Sequence, residues 1–264
     1  MMHPMDDKVK TRIEAGIIGF GRFGRLLAGI LSVDHQILVY DPVEPDLTDY
    51  PFIRKGSMPM VAAQKNLFFA VPILGFEEAL QAAIPYLRKD ALILDVLSVK
   101  VFAYEVMKRL LPKGVGILPT HPMFGPDSIG EGLSDLPFVL CPTPETPPDS
   151  LCYWRGYLGN KGFRVVEMDC EEHDRITASS LCLTQLLGLL LDRLAIDSSP
   201  IDTKNFQALL RLRESTCHDS PGLFTGLQLF NPFALQMRKR VREELAALEK
   251  ELAEQADRLN PAAR

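Results

Sequence analysis

Residues 12–24, RIEAGIIGFGRFG, decide the fold. A short apolar strand leads into the glycine motif G-x-G-x-x-G, and a helical stretch, FGRLLAGILS, follows it. In this context the first glycine permits a tight turn, and the second lets backbone N–H groups approach a pyrophosphate at a helix N-terminus. The third glycine lets helix and strand pack closely. The motif therefore predicts a dinucleotide-binding loop, whose cofactor-binding residues are Gly19, Gly21, Arg22, Phe23 and Gly24.

An acidic residue follows the next strand, as this kind of loop requires. Asp41 ends the apolar run 36–40 and lies 22 residues (41 − 19) beyond Gly19, close to the spacing of a ribose-binding acid. A carboxylate accepts hydrogen bonds from the adenosine 2′-hydroxyl and repels a 2′-phosphate. Asp41 therefore favours NAD, with NADP as the alternative cofactor.

A second turn is predicted to contact the cofactor. Val71 and Pro72 close a strand-like segment, and the carboxyl ends of such strands line the ligand crevice. The alternative is that the proline merely ends the strand.

Apolar strands alternate with helical patterns through the first 170 residues. This alternation predicts an α/β fold, a Rossmann-type doubly wound parallel sheet with helices on both faces. Pro and Thr crowd residues 142–148, which makes that segment the best linker candidate, although a strand-like run at 163–168 can still add to the sheet edge. The predicted domains are a dinucleotide-binding domain at 11–170 and an all-helical substrate and dimerisation domain at 171–264.

Three helical patterns fill the C-terminal part. Residues 173–196 are apolar almost all round, which predicts a buried central helix. Residues 203–218 form an amphipathic helix, and 234–258 form a charged helix whose apolar stripe suits a partner helix or a second subunit. The stripe consists of Val241, Leu245, Leu248 and Leu252.

Composition excludes several classes of protein. The chain of 264 residues has a net charge of −5 and no basic bias, which argues against a nucleic-acid binder. The polar residues at the start of the sequence predict no signal peptide, and the apolar runs are too short to predict a membrane span. The five cysteines contain no C-x-x-C spacing and predict reduced thiols in a cytoplasmic protein without a metal site. Three histidines without a surrounding motif are predicted to be surface residues: His3, His35 and His218.

Two further strand ends carry polar groups suited to chemistry. One is the segment Asp95-Val-Leu-Ser98-Val-Lys100, and the other is Thr120-His121-Pro-Met-Phe-Gly-Pro126. Both are predicted to face the same crevice as the glycine loop. His121 can act as base or hydrogen-bond acceptor for an alcohol under oxidation, with Ser98 as a neighbouring hydroxyl. Taken alone, His121 could also be a turn or capping residue.

At these residues the sequence resembles the prephenate/arogenate dehydrogenase family of tyrosine biosynthesis. The resemblance rests on the glycine motif, D-V-x-S-V-K, H-P-M-F-G and Glu172-His173-Asp174, and the run DTKNFQALLRL…DSPGLF looks like plant-type arogenate dehydrogenases. It implies a homodimer through the helical domain, and oxidation of a cyclohexadienol with hydride transfer to the nicotinamide and loss of CO2. It also implies that His121 accepts a hydrogen bond from the substrate's ring hydroxyl while Ser98 helps to hold the reacting groups in line. Prephenate and arogenate remain undistinguished, and no fused chorismate mutase segment is expected.

The substrate's carboxylates require a cationic or polar partner. Arg213 shares an apolar helical face with Phe206, Leu209 and Leu210, so it is predicted to bind a carboxylate in preference to Arg211. The alternative is a salt bridge to an internal acid. The family tends to have a second histidine twelve residues after His173, where this chain has Gln185. Gln185 can hydrogen-bond but carries no charge.

Two other functions stay open. One is a related β-hydroxyacid dehydrogenase or imine reductase, against which the H-P-M-F-G string argues. The other is a non-catalytic NAD(H)-sensing protein, to which Gln185 gives some weight.

Overall fold

The computed structural model describes residues 14–126, 129, 132–217 and 221–259. The predictions for His3 and His218 lie outside these residues. The chain divides into two compact units between Asp169 and Cys170. The strands of the first unit are β1 (Glu14–Ile18), β2 (Gln36–Tyr40), β3 (Ile53–Lys55), β4 (Asn66–Phe69), β5 (Leu92–Asp95), β6 (Gly116–Pro122), β7 (Pro137–Leu140) and β8 (Arg164–Glu167).

Helices flank these strands and make up the second unit. Those of the first unit are α1 (Arg22–Ser32), α2 (Met58–Ala62), α3 (Phe76–Ala83), α4 (Lys100–Leu110) and α5 (Pro148–Asn160). Those of the second are α6 (Cys170–Thr177), α7 (Leu183–Arg193), α8 (Lys204–Cys217), α9 (Pro221–Phe230) and α10 (Ala234–Leu259). No helix in the described ranges is long and apolar enough to cross a membrane.

The first unit is a Rossmann-type sheet of eight strands in the order β3-β2-β1-β4-β5-β6-β7-β8, which confirms the predicted fold class. One detail of the prediction is wrong, because the sheet is not wholly parallel. β7 pairs with β6 in the antiparallel sense, and β8 then runs parallel to β7. A short apolar run fixes burial but not strand direction, so sequence periodicity could not reveal this reversal.

The parallel strands end in one row. Tyr40 pairs with Ile18, Ile18 with Phe69, Phe69 with Asp95, and Asp95 with Pro119. The residues that follow these positions therefore emerge at the same edge of the sheet. Between β1 and β4 the strand order reverses direction, and ligands of open α/β sheets bind at such a switch point.

The proposed linker at 142–148 is a wrong prediction. This segment leads into α5, and β8 then joins the same sheet through β7. Buried Trp154 on α5 anchors the helix to the sheet, since its indole N–H donates to Asn66 Oδ1 at 3.2 Å. The Pro and Thr residues form a connection inside the first unit.

His35 corrects a second prediction, because it is 1% exposed and not a surface residue. Its ring stacks on Trp154 with centroids 5.6 Å apart, and Tyr157 meets it edge-on at 4.6 Å. Nδ1 lies 3.2 Å from the carbonyl oxygen of Leu31 and Nε2 lies 2.7 Å from the hydroxyl of Tyr153. A carbonyl can only accept, so Nδ1 carries the proton and neutral His35 accepts from the tyrosine.

This environment predicts a pH-dependent stability. Burial lowers the pKa of His35 below its ordinary value. The unfolded chain therefore binds a proton at about pH 6.5 while the folded chain stays neutral, so the free energy of unfolding falls as the pH drops below that value. His35→Phe keeps a ring in the stack and removes this titration, so it should flatten the pH dependence. Denaturation followed by the fluorescence of Trp154, the single tryptophan, measures the free energy of unfolding at pH 5.5 to 7.5. An equal dependence of this free energy on pH in parent and variant would contradict the role assigned to His35.

The second unit is helical, as predicted, but its central helix is not buried. A π-helical segment, Ala178–Cys182, interrupts the predicted helix, and α7 follows it. Gln185 and Gly188 are the buried residues of α7, whereas its leucines are half-buried or, like Leu190, exposed. The apolar stripe of α10 is likewise exposed at Leu245, Leu248 and Leu252.

Candidate active site

The glycine loop begins directly after β1. Gly19 has a φ of +100°, and a Cβ there would lie 2.4 Å from the carbonyl oxygen of Ala70, so both the conformation and the space require glycine. A Cβ on Gly24 would lie 2.1 Å from the carbonyl oxygen of Gly19. These two glycines are needed by the fold itself.

Gly21 differs from them, since no atom beyond its two neighbours in the chain lies within 4 Å of a Cβ built there. Its backbone is extended, with φ −70° and ψ −164°, and it precedes α1 without a side-chain cap. The first turn of α1 contains no acidic residue, and the N–H groups of a first helical turn attract an anion. An open position at the N-terminus of this helix fits a dinucleotide pyrophosphate.

Asp41 contacts this loop directly. Its Oδ2 accepts the backbone N–H of Phe20 at 2.7 Å, and its Oδ1 accepts that of Val43 at 2.9 Å. The carboxylate is therefore held at the end of β2 beside the glycine loop, and Asp41 is half-buried. Each carboxylate oxygen has a further lone pair with which to accept a ribose hydroxyl.

Val71 and Pro72 lie at the switch point between β1 and β4. The N–H of Ala70 donates to the carbonyl of Ile18 at 2.8 Å, and a Cβ on Gly19 would lie 3.0 Å from Cγ1 of Val71. Val71 is thus packed against the glycine loop, while Pro72 is exposed and precedes a 3-10 turn.

His121 lies on β6, opposite Val139 of β7. Antiparallel pairing with β7 prolongs β6 through Pro122, so His121 lies among the last residues of the strand. The side chain is 5% exposed. The two motifs meet nearby, because the rings of Phe23 and Phe124 pack with centroids 6.1 Å apart.

The segment after β5 is only partly open to a crevice. Ser98 is half-buried and follows β5 at the same edge as His121. Asp95 and Lys100 are instead wholly buried and form an ion pair, so the prediction that they face the crevice is wrong. Lys100 also donates to the carbonyl of Thr120, the residue before His121. Sequence analysis could not reveal this contact, because its partners are 20 residues apart.

The second unit has its own buried polar cluster. His173 Nδ1 lies 2.8 Å from Oδ1 of Asp174, and both side chains are buried. Asn231 donates to the carbonyl of Asp174 at 2.8 Å. Gln185 is 5% exposed on α7.

Arg213 lies on α8, with 27% of its side chain exposed. Its guanidinium donates to the carbonyl of Ile196 at 2.6 Å and lies 4.0 Å from the carboxylate of Asp197. Arg211 is exposed. Arg213 is thus less exposed than Arg211, but Leu209, which was predicted to share the apolar face of Arg213, is 45% exposed, and α8 contains no fully buried residue.

Within the described residues no group of three or more His, Cys, Asp or Glu side chains could hold a metal ion. The sheet, its switch point and the glycine loop define a Rossmann-type dinucleotide-binding protein. Residues 50–167 match the family model "Prephenate dehydrogenase, nucleotide-binding domain", and residues 190–262 match "TYRAAT1-like, C-terminal domain".

Two proteins of Arabidopsis thaliana are similar over 92% of this chain: "Arogenate dehydrogenase 1, chloroplastic", at 35% identity, and "Arogenate dehydrogenase 2, chloroplastic", at 33%. The chain spans 39% of the first and 70% of the second. It belongs to the prephenate/arogenate dehydrogenase family. A solved structure of prephenate dehydrogenase from A. aeolicus in complex with hydroxyphenyl propionate and NAD+ has the same fold, with a TM-score of 0.74 at 21% identity over 95% of this chain and 94% of that one.

Proposed function

We propose that the protein oxidises and decarboxylates prephenate or arogenate with NAD as hydride acceptor. The observation that carries the proposal is the convergence of the glycine loop, Ser98 and His121 at one edge of the sheet, in a member of this family. When bound, the nicotinamide supplies the hydride acceptor.

His121 is proposed to accept the hydrogen bond of the substrate's ring hydroxyl. Oxidation turns that alcohol carbon into a carbonyl and releases the hydroxyl proton, which an imidazole nitrogen can take. A buried imidazole holds its orientation and keeps water away from the reacting hydroxyl. Half-buried Ser98 is proposed to align the hydroxyl with the imidazole. Decarboxylation then follows because the ring becomes aromatic.

Formation of the reduced cofactor tests this function. The purified protein is given prephenate and arogenate separately, each with NAD and with NADP, and reduction is followed by absorbance. Turnover with one pair supports the proposal and identifies the substrate and cofactor together. Cofactor binding without turnover of either substrate would overturn it and favour the NAD(H)-sensing function, to which the uncharged Gln185 lends support.

NAD is proposed over NADP because of the anchored carboxylate of Asp41. A 2′-phosphate beside it would meet like charge, which costs several kcal/mol at about 4 Å with an effective dielectric constant of about 20. Asp41→Ser should therefore raise the ratio of kcat/KM with NADP to that with NAD by about tenfold or more, equivalent to about 1.4 kcal/mol.

Asp41→Asn is the matched control for that change. It removes the charge but keeps an oxygen that can accept the N–H of Phe20. Both variants should shift the ratio if charge decides the preference. An unchanged ratio in both would remove the basis for proposing NAD.

Arg213 is proposed to bind a substrate carboxylate. Arg213→Ala should raise KM for the acid substrate by about tenfold or more, because a charge-assisted hydrogen bond contributes about 1.5–3 kcal/mol. Arg211→Ala is the control on the exposed face of the same helix and should leave KM within about twofold. Equal effects of the two substitutions on KM would show that the helical face does not select the ligand. Gln185 is proposed as a second substrate contact.

A homodimer through the helical unit is proposed as well. The half-buried leucines of α7 and the exposed stripe of α10 present more apolar surface than a solvated helix needs. Sedimentation of the purified protein measures the oligomeric state, and a monomer at micromolar concentration would reject the proposal. A cytoplasmic location is proposed from the odd number and scattered spacing of the five cysteines and is tested by cell fractionation.

A further inference from the structure

We propose that the buried ion pair of Asp95 and Lys100 positions His121 by fixing the backbone of Thr120. The inference rests on the role proposed above for His121. It assigns a task to two residues whose side chains are wholly buried.

The pair joins the end of one strand to the start of the next helix. Asp95 is the last residue of β5, Lys100 is the first residue of α4, and both side chains are 0% exposed. Burial raises the pKa of Asp95, and the neighbouring Lys100 opposes that rise. A buried ion pair is often no more stabilising than apolar side chains of similar volume. Stability alone is therefore a weak reason for having one here.

The hydrogen bonds of the pair point to another reason. Lys100 Nζ donates to the carbonyl of Thr120 as well as to Asp95. Asp95 Oδ2 also accepts the N–H of Leu97 at 3.0 Å. The hydroxyl of Thr120 donates back to the carbonyl of Asp95 at 2.5 Å. Thr120 is thus tied to the end of β5 through both its main chain and its side chain.

This double attachment is located where the regular sheet no longer supplies one. The parallel pairing of β5 with β6 ends at Asp95 and Pro119. Beyond that point β6 is paired on its other side, Thr120 with Leu140 and His121 with Val139 of β7. Lys100 and the hydroxyl of Thr120 take the place of the missing ladder on the β5 side. The backbone that carries His121 is therefore held from both sides.

The geometric consequence is specific. Displacement of a reacting group by about 1 Å can cost about 10²-fold in rate. Loss of the pair should therefore lower kcat, while the glycine loop on β1 and α1 should bind NAD as before.

The test replaces the pair by neutral side chains of similar size, Asp95→Asn with Lys100→Met. We expect kcat to fall by about 10- to 100-fold, with the Kd for NAD, measured by calorimetry, within about twofold of the parent. In protein labelled with 15N-histidine, the ring resonances of His121, assigned with His121→Asn, should shift while those of His35 stay in place.

Trp154→Phe is the control for a general loss of stability. It removes the hydrogen bond to Asn66 in the same unit and changes no residue at the ends of β5 and β6. It should lower Tm and leave kcat and the His121 resonances near those of the parent. Thr120→Val keeps the ion pair and removes only the hydroxyl tie, so it should shift His121 in the same way to a smaller degree. It provides the test if the double variant does not fold.

Unchanged His121 resonances and a kcat within about twofold of the parent, in a folded variant, would overturn the proposal. A fall in kcat that Trp154→Phe reproduces at an equal loss of Tm would do the same. The resonances need no turnover. A parent protein that turns over neither prephenate nor arogenate therefore rejects the proposed function but still leaves the positioning of His121 measurable.

Discussion

His121→Asn is expected to lower kcat by about 10²- to 10⁴-fold, the usual contribution of a positioned acid or base. Asparagine can donate or accept a hydrogen bond but cannot take the proton that leaves the ring hydroxyl. The loss should therefore fall on kcat, with KM for NAD nearly unchanged, because the cofactor is proposed to bind at the glycine loop. Steady-state kinetics with the preferred substrate and saturating NAD measure both constants.

His35→Phe is the matched control for the His121 substitution. It removes another buried histidine of the same unit, one whose contacts are Leu31 and the aromatic rings of α5. At pH 7.5, where the stability is not yet affected by protonation, its kcat should stay within about twofold of the parent. If His121→Asn also stays within a few-fold, His121 is not the proton acceptor.

The parts of the site that sequence reasoning predicted correctly depend on local chemistry. A glycine motif between a strand and a helix constrains the turn by backbone sterics alone, and the structure gives Gly19 a positive φ and packs Gly24 against the preceding turn. The position of the Asp41 carboxylate after β2 is also predictable from the local sequence, because the strand–helix–strand unit has a nearly fixed length.

Contacts between distant segments account for the errors. His35 is predicted to be a surface residue because no motif surrounds it, yet α5, more than a hundred residues later, supplies the rings that bury it. Asp95 and Lys100 are predicted to face the crevice because the sequence shows only the strand end on which they lie. The carbonyl that accepts a hydrogen bond from Lys100 belongs to Thr120, on another strand. A different cause applies to β3, which sequence analysis does not predict because its three residues are too few to show a period.

In the second unit, helical periodicity likewise predicted local features but not the contacts with distant residues. It placed Arg213 on the apolar face of a helix and Arg211 outside that face, but it could not identify the carbonyl of Ile196 as a hydrogen-bond acceptor. It also predicted a buried apolar helix, whereas the leucines of α7 are half-buried or exposed in the described part of the chain. Periodicity reports which side chains share a face, whereas the neighbour of that face depends on the rest of the fold.

Gly24→Ala should destabilise the first unit strongly, although alanine is the better helix former. Replacing glycine by alanine inside a helix ordinarily stabilises it by about 1 kcal/mol. At Gly24 the added methyl would lie 2.1 Å from the carbonyl oxygen of Gly19, and a backbone atom at a tight turn cannot move aside as a flexible side chain can. We expect the overlap to outweigh the gain and to cost about 3 kcal/mol or more. Denaturation followed by the fluorescence of Trp154 measures the change.

Two other glycines of the same segment separate packing from cofactor binding. Gly29 lies on α1 with no atom within 4 Å of a Cβ, so Gly29→Ala should stabilise the unit by about 1 kcal/mol. Gly21 is equally open, so Gly21→Ala should leave the free energy of unfolding within about 0.5 kcal/mol of the parent. Its methyl group would instead occupy the space proposed for the pyrophosphate, so the Kd for NAD should rise about tenfold or more. An unchanged affinity of Gly21→Ala for NAD would show that the phosphate site is not at the N-terminus of α1. A stable Gly21→Ala variant that binds NAD weakly would show that the cofactor requires glycine at position 21, whereas the fold requires it at Gly24.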